Sequence, residues 1–223
     1  MAKTAKAQQK PAKKSAKKRT SKTAASKVRQ TEEASRADKA RFEYRVWGEH
    51  RKARKALRKM ADTETRERVD DCYLLVDDPT WNAKVRDDTL KVKQLVSERK
   101  GFERWVSAKH RSSKSAPSPF DDLYDDLDFD RLRSKKKYTI AKALKKLDPD
   151  SGIRPLFVSK KRRRYTVGEL RAEVTDIEIL DTGEVLRTLS IEGDDLADLV
   201  KLRKALGLKG ETNTAVHTAI DPG

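Results

Sequence analysis

"NAKVRDDTLKVKQL", residues 82–95, decides how this chain is read. Lys84 and Arg86 fall on one side of an extended segment, and Lys91 and Lys93 do so again a few residues later. Val85, Leu90 and Val92 between them are apolar, so the alternation is that of half-buried strands. Two neighbouring strands that each line a face with cations leave two readings. Either that face is wet, or it grips something strongly negative.

The same period recurs outward from this stretch. "RFEYRVW" (41–47) puts Phe42, Tyr44 and Val46 on one side and Glu43 and Arg45 on the other. "ERVDDCYLLVD" (67–77), "KGFERWVSA" (100–108), "RPLFVSKKRRRYTV" (154–167), "GELRAEVTDIEIL" (168–180) and "EVLRTLSIEG" (184–193) also read as strands, with Gly183 in the last turn. "EHRKARKALRKMAD" (49–62) has Ala53, Ala56, Leu57 and Met60 at helical spacing under a very basic face. "YTIAKALKKL" (138–147) is a second helix. "DDLADLVKLRKALGL" (194–208) is a third, with Asp194 or Asp195 as cap and Gly207 as stop.

The charge is uneven. The formal net charge is +17, yet residues 1–30 alone hold eleven Lys and Arg and no acid, which leaves +6 for the remainder. That segment has no large apolar side chain except Val28, so residues 1–38 are expected to be a disordered Lys/Ala-rich basic tail. A domain is expected over 39–208, with a Ser/Pro/Asp-rich insertion near 107–134, and residues 209–223 read as a C-terminal tail. One cysteine, Cys72, precludes an intramolecular disulfide and fits a reducing compartment. No apolar run approaches the ~18 residues of a membrane span. The expectation is a soluble, cytoplasmic protein without membrane contact. The sequence carries no sign of its oligomeric state.

On any single strand a solvated charged face is the ordinary reading. Taken together, the strands fit a sheet closed inside out, with helices over its apolar outer face and the charges lining a channel. Like charges around a lumen repel, so such a lining needs a counter-charge. Triphosphate or polyphosphate supplies one, with oxygens that accept from Lys and, in bidentate fashion, from Arg. Carboxylates in the same lumen would hold a divalent metal bridging phosphate oxygens.

At this point the chain resembles the CYTH, or triphosphate tunnel, superfamily over residues 41–208. Its members include triphosphatases, thiamine triphosphatases, class IV adenylate cyclases and polyphosphate-acting enzymes. The opening E-x-E-x-K slot reads Arg41-Phe42-Glu43-Tyr44-Arg45. The D-x-Y is Asp71-Cys72-Tyr73, and the paired basic strands are Lys84-Val85-Arg86 and Lys91-Val92-Lys93. "GFERW" offers Glu103, and the K-x-R strand is Lys160-Lys161-Arg162. The acidic strand offers Glu173 or Asp176, and the closing E-x-E reads Ser190-Ile191-Glu192.

The resemblance implies an α+β fold: an antiparallel closed β-barrel of about eight strands with flanking helices. It implies phosphate contacts from Arg45, Lys84, Arg86, Lys91, Lys93, Lys160, Arg162 and Arg164. Metal ligands would be Glu43, Glu103, Asp176 and Glu192, holding Mg²⁺ or Mn²⁺, with Glu43 and Glu192 in catalysis. The implied activity is metal-dependent hydrolysis of a triphosphate or polyphosphate. Arg41 and Ser190 stand where the family has glutamates, which weakens the metal-holding half more than the phosphate-gripping half. A non-catalytic polyphosphate binder is therefore the second reading, and a nucleic-acid-associated protein acting through residues 1–30 is the third.

Other features read plainly. The acidic run Asp121–Asp130 lacks the Gly and closing Glu of an EF-hand and reads as a solvated insertion. His50, His110 and His217 have no metal spacing. Cys72 reads as a buried thiol. Trp47, Trp81 and Trp105 read as packing against helices.

Overall fold

A computed structural model describes residues 40–87, 89–111 and 152–221. The basic tail, the acidic run Asp121–Asp130 and the helix expected over 138–147 lie outside the described residues. The elements run β1 (Arg41–Trp47), α1 (Arg51–Met60), β2 (Thr63–Leu75), β3 (Trp81–Arg86), β4 (Thr89–Arg99), β5 (Phe102–Arg111), β6 (Arg154–Val167), β7 (Leu170–Ile179), β8 (Val185–Gly193), α2 (Leu196–Ala205) and α3 (Val216–Ile220). The eight strands close into a barrel in the order β1-β5-β4-β3-β2-β6-β7-β8, antiparallel throughout. Closure leaves no sheet edge unpaired.

The main apolar core lies outside the ring. Phe42, Tyr44 and Val46 of β1, Tyr165 of β6, Ala172 and Val174 of β7, and Leu189 and Ile191 of β8 pack beneath Ala53 and Leu57 of α1 and Leu199 and Leu202 of α2. Full burial of a leucine such as Leu57 or Leu199 contributes about 1.5–3 kcal/mol. The helix ends follow the sequence. Asp195 caps α2 by accepting from the Asp198 N–H at 2.9 Å, and Gly207 closes it at φ 72°. A second outer cluster joins Cys72 and Leu74 of β2 to Ala83, Leu90 and Val92 of β3 and β4. Cys72 is thus buried, and burial, helped by the Asp71 charge, pushes its thiol up to about 11.

Three boundaries differ from the sequence reading. β2 begins at Thr63, four residues early, because its polar first turn is held only by the ladder to β6, Thr63 opposite Thr166 and Arg66 opposite Arg163. β5 runs on to Arg111, so residues 107–111 are strand and not the start of a loop. Residues 209–221 belong to the barrel's compact unit, Lys39–Gly223, and are no free tail. The Tyr44 hydroxyl donates to the carbonyls of Leu208 (3.0 Å) and Glu211 (2.7 Å). Trp47 Nε1 donates to the Thr214 carbonyl at 3.0 Å.

This segment also fills a seam. β1 pairs with β5 only from Arg41 to Glu43. Beyond that, the Arg45 N–H donates to Asn213 Oδ1 at 2.7 Å and its carbonyl accepts from Thr214 N–H at 3.0 Å.

Candidate functional site

Because the apolar residues face out, the alternate positions face in. They enclose a cavity of about 1040 Å³ lined by Arg45, Lys84, Arg86, Lys91, Lys93, Lys160, Arg162 and Arg164, the cations singled out in the sequence. Lys109 and Arg171 join them, along with Glu43, Asp87, Glu103, Glu173 and Glu192. Two further carboxylates, Asp71 and Glu67, bind the lining cations. Ten cations against seven acids leave an excess of three positive charges, so the acids present do not neutralise the wall.

Asp71 organises the deepest part. It is buried on β2, and Arg86 grips it with two nitrogens, Nε to Oδ1 at 2.5 Å and Nη2 to Oδ2 at 2.8 Å. Lys84 Nζ donates to Oδ2 at 3.0 Å and Lys160 Nζ lies 3.1 Å from the same oxygen. Burial alone would raise the Asp71 carboxyl; the Arg86 hydrogen bonds and the charges of Lys84 and Lys160 hold it well below the usual carboxylate range. Lys160 also donates to the Tyr73 hydroxyl and sits over its ring, 4.5 Å from the centroid. Nearer the solvent, Arg162 bridges Glu67 (2.5 Å) and Glu173, and Glu173 accepts from Thr175 at 2.6 Å. Burial opposes the ionisation of Glu173, but Arg162 with Arg45 brings its carboxyl down to about 2.

The buried lysines are poised to lose protons. Burial lowers Lys84, Lys91 and Lys160 to about 8, with neighbouring cations contributing. In the unfolded chain their pKa returns to about 10.4. Between those values the unfolded state holds more protons than the folded one, so stability rises with pH. The melting temperature of the empty protein is expected to increase from pH 7.5 to 9.5; a decrease would mean these amines stay charged in the fold.

Glu103 on β5, Glu43 on β1 and Glu192 on β8 stand directly opposite one another across three adjacent strands. These are hard oxygen donors of the kind Mg²⁺ and Mn²⁺ take. Their crowding shows at Glu103, whose carboxyl is raised by burial and then by Glu98 and Glu43, against the opposing Trp105 N–H. Trp105 Nε1 donates to Glu103 at 3.1 Å; Asn213 Nδ2 makes no full hydrogen bond but lies close enough to help keep that carboxylate ionised. Cations now occupy the other two: Lys93 is bonded to Glu43, and Arg171 lies 3.6 Å from Glu192. Among the described residues no three acids, histidines or cysteines converge as a ready-made metal centre. The row fits a divalent ion in donor type and register, once Lys93 and Arg171 let go.

Asp176 is a correction. Leu170, Ala172, Val174 and Asp176 share one parity on β7, and the unbroken ladder to β6 puts that parity outward. Asp176 pairs with Arg187, which also binds Glu49, and it does not line the cavity. Glu173, of the other parity, does. Arg41 is not on the wall either; it pairs with Asp194 at 3.2 Å, so it adds no cation to the carboxylate row. Ser190 does line the cavity. Two tryptophans also differ from the outward packing expected: Trp105 lines the lumen edge-on to His217, and Trp47 packs on an apolar cluster inside the ring. Lys109, Arg171, Glu67 and Asn213 were not singled out in the sequence. For the first three the signal was strand parity; for Asn213 there was none.

No family model and no curated protein matches this chain. Among solved structures, the PH1012 protein from Pyrococcus horikoshii OT3 aligns with a TM-score of 0.50 at 14% identity, covering 81% of this chain and 98% of that one. Conserved hypothetical protein Pfu-838710-001 from Pyrococcus furiosus gives 0.47 at 17% identity, over 78% and 94%. HpAC1 from Hippeastrum, a putative adenylyl cyclase with a dominant triphosphatase activity, gives 0.44 at 13% identity, over 81% and 94%. At these identities the likeness is one of fold. No helix among the described residues is long and apolar enough to cross a membrane.

Proposed function

We propose that this chain, which has the fold of the triphosphate tunnel superfamily, binds a tri- or polyphosphate in its lumen and hydrolyses a phosphoanhydride with Mg²⁺ or Mn²⁺. The observation that carries the reading is the three-charge excess inside a closed ring, with cations placed on strands from every side. Lys84, Arg86, Lys160 and Arg162 are held in place by Asp71, Glu67 and Glu173 with donors to spare for phosphate oxygens. Arg45, Lys91, Lys93 and Arg164 complete the contacts along the wall. Glu43, Glu103 and Glu192 would hold the divalent ion, which supplies charge neutralisation at the phosphoryl oxygens and activation of water. Phosphate oxygens offer Lys93 a richer partner than Glu43, so ligand entry draws the amine away and frees the carboxylate.

Two measurements test this. Orthophosphate release from tripolyphosphate is expected with Mg²⁺ or Mn²⁺ and not with chelator; its absence under both metals would leave only binding. Affinity for tripolyphosphate should fall above pH 8, by up to ~10-fold per pH unit for each lysine whose proton the ligand needs. The sign is opposite to that for the stability of the empty protein.

A binder without turnover is the second reading. It is favoured by Ser190 and by the pairing of Glu43 and Glu192 to cations. Glu43→Gln separates the roles. Turnover should drop at least ~100-fold while tripolyphosphate affinity stays within about 3-fold of the parent, since Lys93 is released to the ligand. Equal loss of both would place Glu43 in binding. Nucleic-acid association through residues 1–30 is tested by comparing DNA retardation by the full chain and by a chain starting at Thr31; equal retardation removes it.

A further inference from the structure

Exposure along the strands shows which end of the lumen is open. On β6 the inward side chains pass from Arg164, 48% exposed, through Arg162 at 15% to Lys160 at 5%, and the next one, Val158, is fully buried. β2 runs from exposed Thr63 and Thr65 to buried Asp71, Tyr73 and Leu75, and β7 from exposed Arg171 to buried Ile177. β6 is antiparallel to both, so all three gradients descend toward one end. There Leu75, Val158, Ile177 and Ile179 meet Val216 and Ile220 of α3 in one apolar cluster inside the ring.

This floor is fastened. Beyond the bonds from Tyr44, Arg45 and Trp47 already described, Arg154 binds Asp221 at 2.7 Å and His217 Nε2 lies 3.0 Å from the Pro79 carbonyl. Passing an ionised chain through such a layer would strip its hydration with no donors in return, at a cost of many kcal/mol. From Arg164 to Lys160 the wall descends about 13 Å at ~3.3 Å per residue.

We infer that the lumen is a blind pocket that takes a linear phosphate chain by its terminus, so the ligand is a chain end of a few phosphoryl groups and not a threaded polymer. This rests on the phosphate reading above and adds the polarity of entry.

The test counts proteins per chain. The full-length protein is mixed in excess with linear polyphosphates of several lengths at high salt, which suppresses binding by the basic tail more than by the recessed lumen pairs. Sedimentation velocity then gives the number of proteins per polyphosphate chain that excess tripolyphosphate releases. That number is expected to stay at or below two, one per terminus, at every length. A number that grows in proportion to length overturns the blind pocket and leaves the phosphate reading intact. Bound protein that tripolyphosphate cannot release overturns both.

Discussion

Replacing Asp71 with Asn is expected to lower the unfolding free energy by about 3–5 kcal/mol, the cost of removing one partner from a buried ionic cluster. Arg86, Lys84 and Lys160 all point at that carboxylate, and it is buried. Without its charge, three cations share a desolvated space. Urea unfolding measures the loss. The same variant offers a control that a mere packing defect would not show. Tripolyphosphate binds the folded state, so it should restore the urea midpoint progressively with concentration. A loss that tripolyphosphate leaves unchanged would mean that the crowding of cations is not its cause.

Lys160→Met is expected to do the reverse. The amine is almost wholly buried, and burial already lowers it to about 8. Methionine fills a similar volume and removes one of the like charges, while Asp71 keeps Arg86 and Lys84. Stability of the empty protein should change by less than about 1 kcal/mol or rise. Affinity for tripolyphosphate should fall about 30- to 1000-fold, the usual range for losing one desolvated charge contact of ~2–4 kcal/mol. Titration calorimetry and urea unfolding on one preparation give both values. Unchanged affinity would mean that phosphate does not reach the depth of Lys160.

Much of the barrel was legible because it needs only strand parity. In "RFEYRVW" and "TLKVKQL" every second residue is apolar, and those residues are the ones packed on the outside. The same rule would have settled β7, since Leu170, Ala172 and Val174 share the parity of Asp176 and not of Glu173. The first turn of β2 was illegible because "TETR" is polar on both sides at the open mouth. The floor was hidden for a different reason: "VHTAI" offers only Val216 and Ile220, too short a pattern to mark a helix. The ion pairs were beyond reach as well. Arg162 meets Glu67 only because β6 lies beside β2, and adjacency of segments so far apart comes from ring closure.

That closure has a cost in time. The seam between β1 and β8 joins Glu43 to Glu192, residues 149 positions apart. Chains dominated by such distant pairings fold on the millisecond-to-second scale, because loop entropy is lost before the contacts form. Until the hoop snaps shut, its inner lysines and arginines lie open on a loose ribbon, adhesive to any polyanion nearby. A short phosphate chain present during refolding would act as a mould, drawing those strands together around itself and quickening the last step.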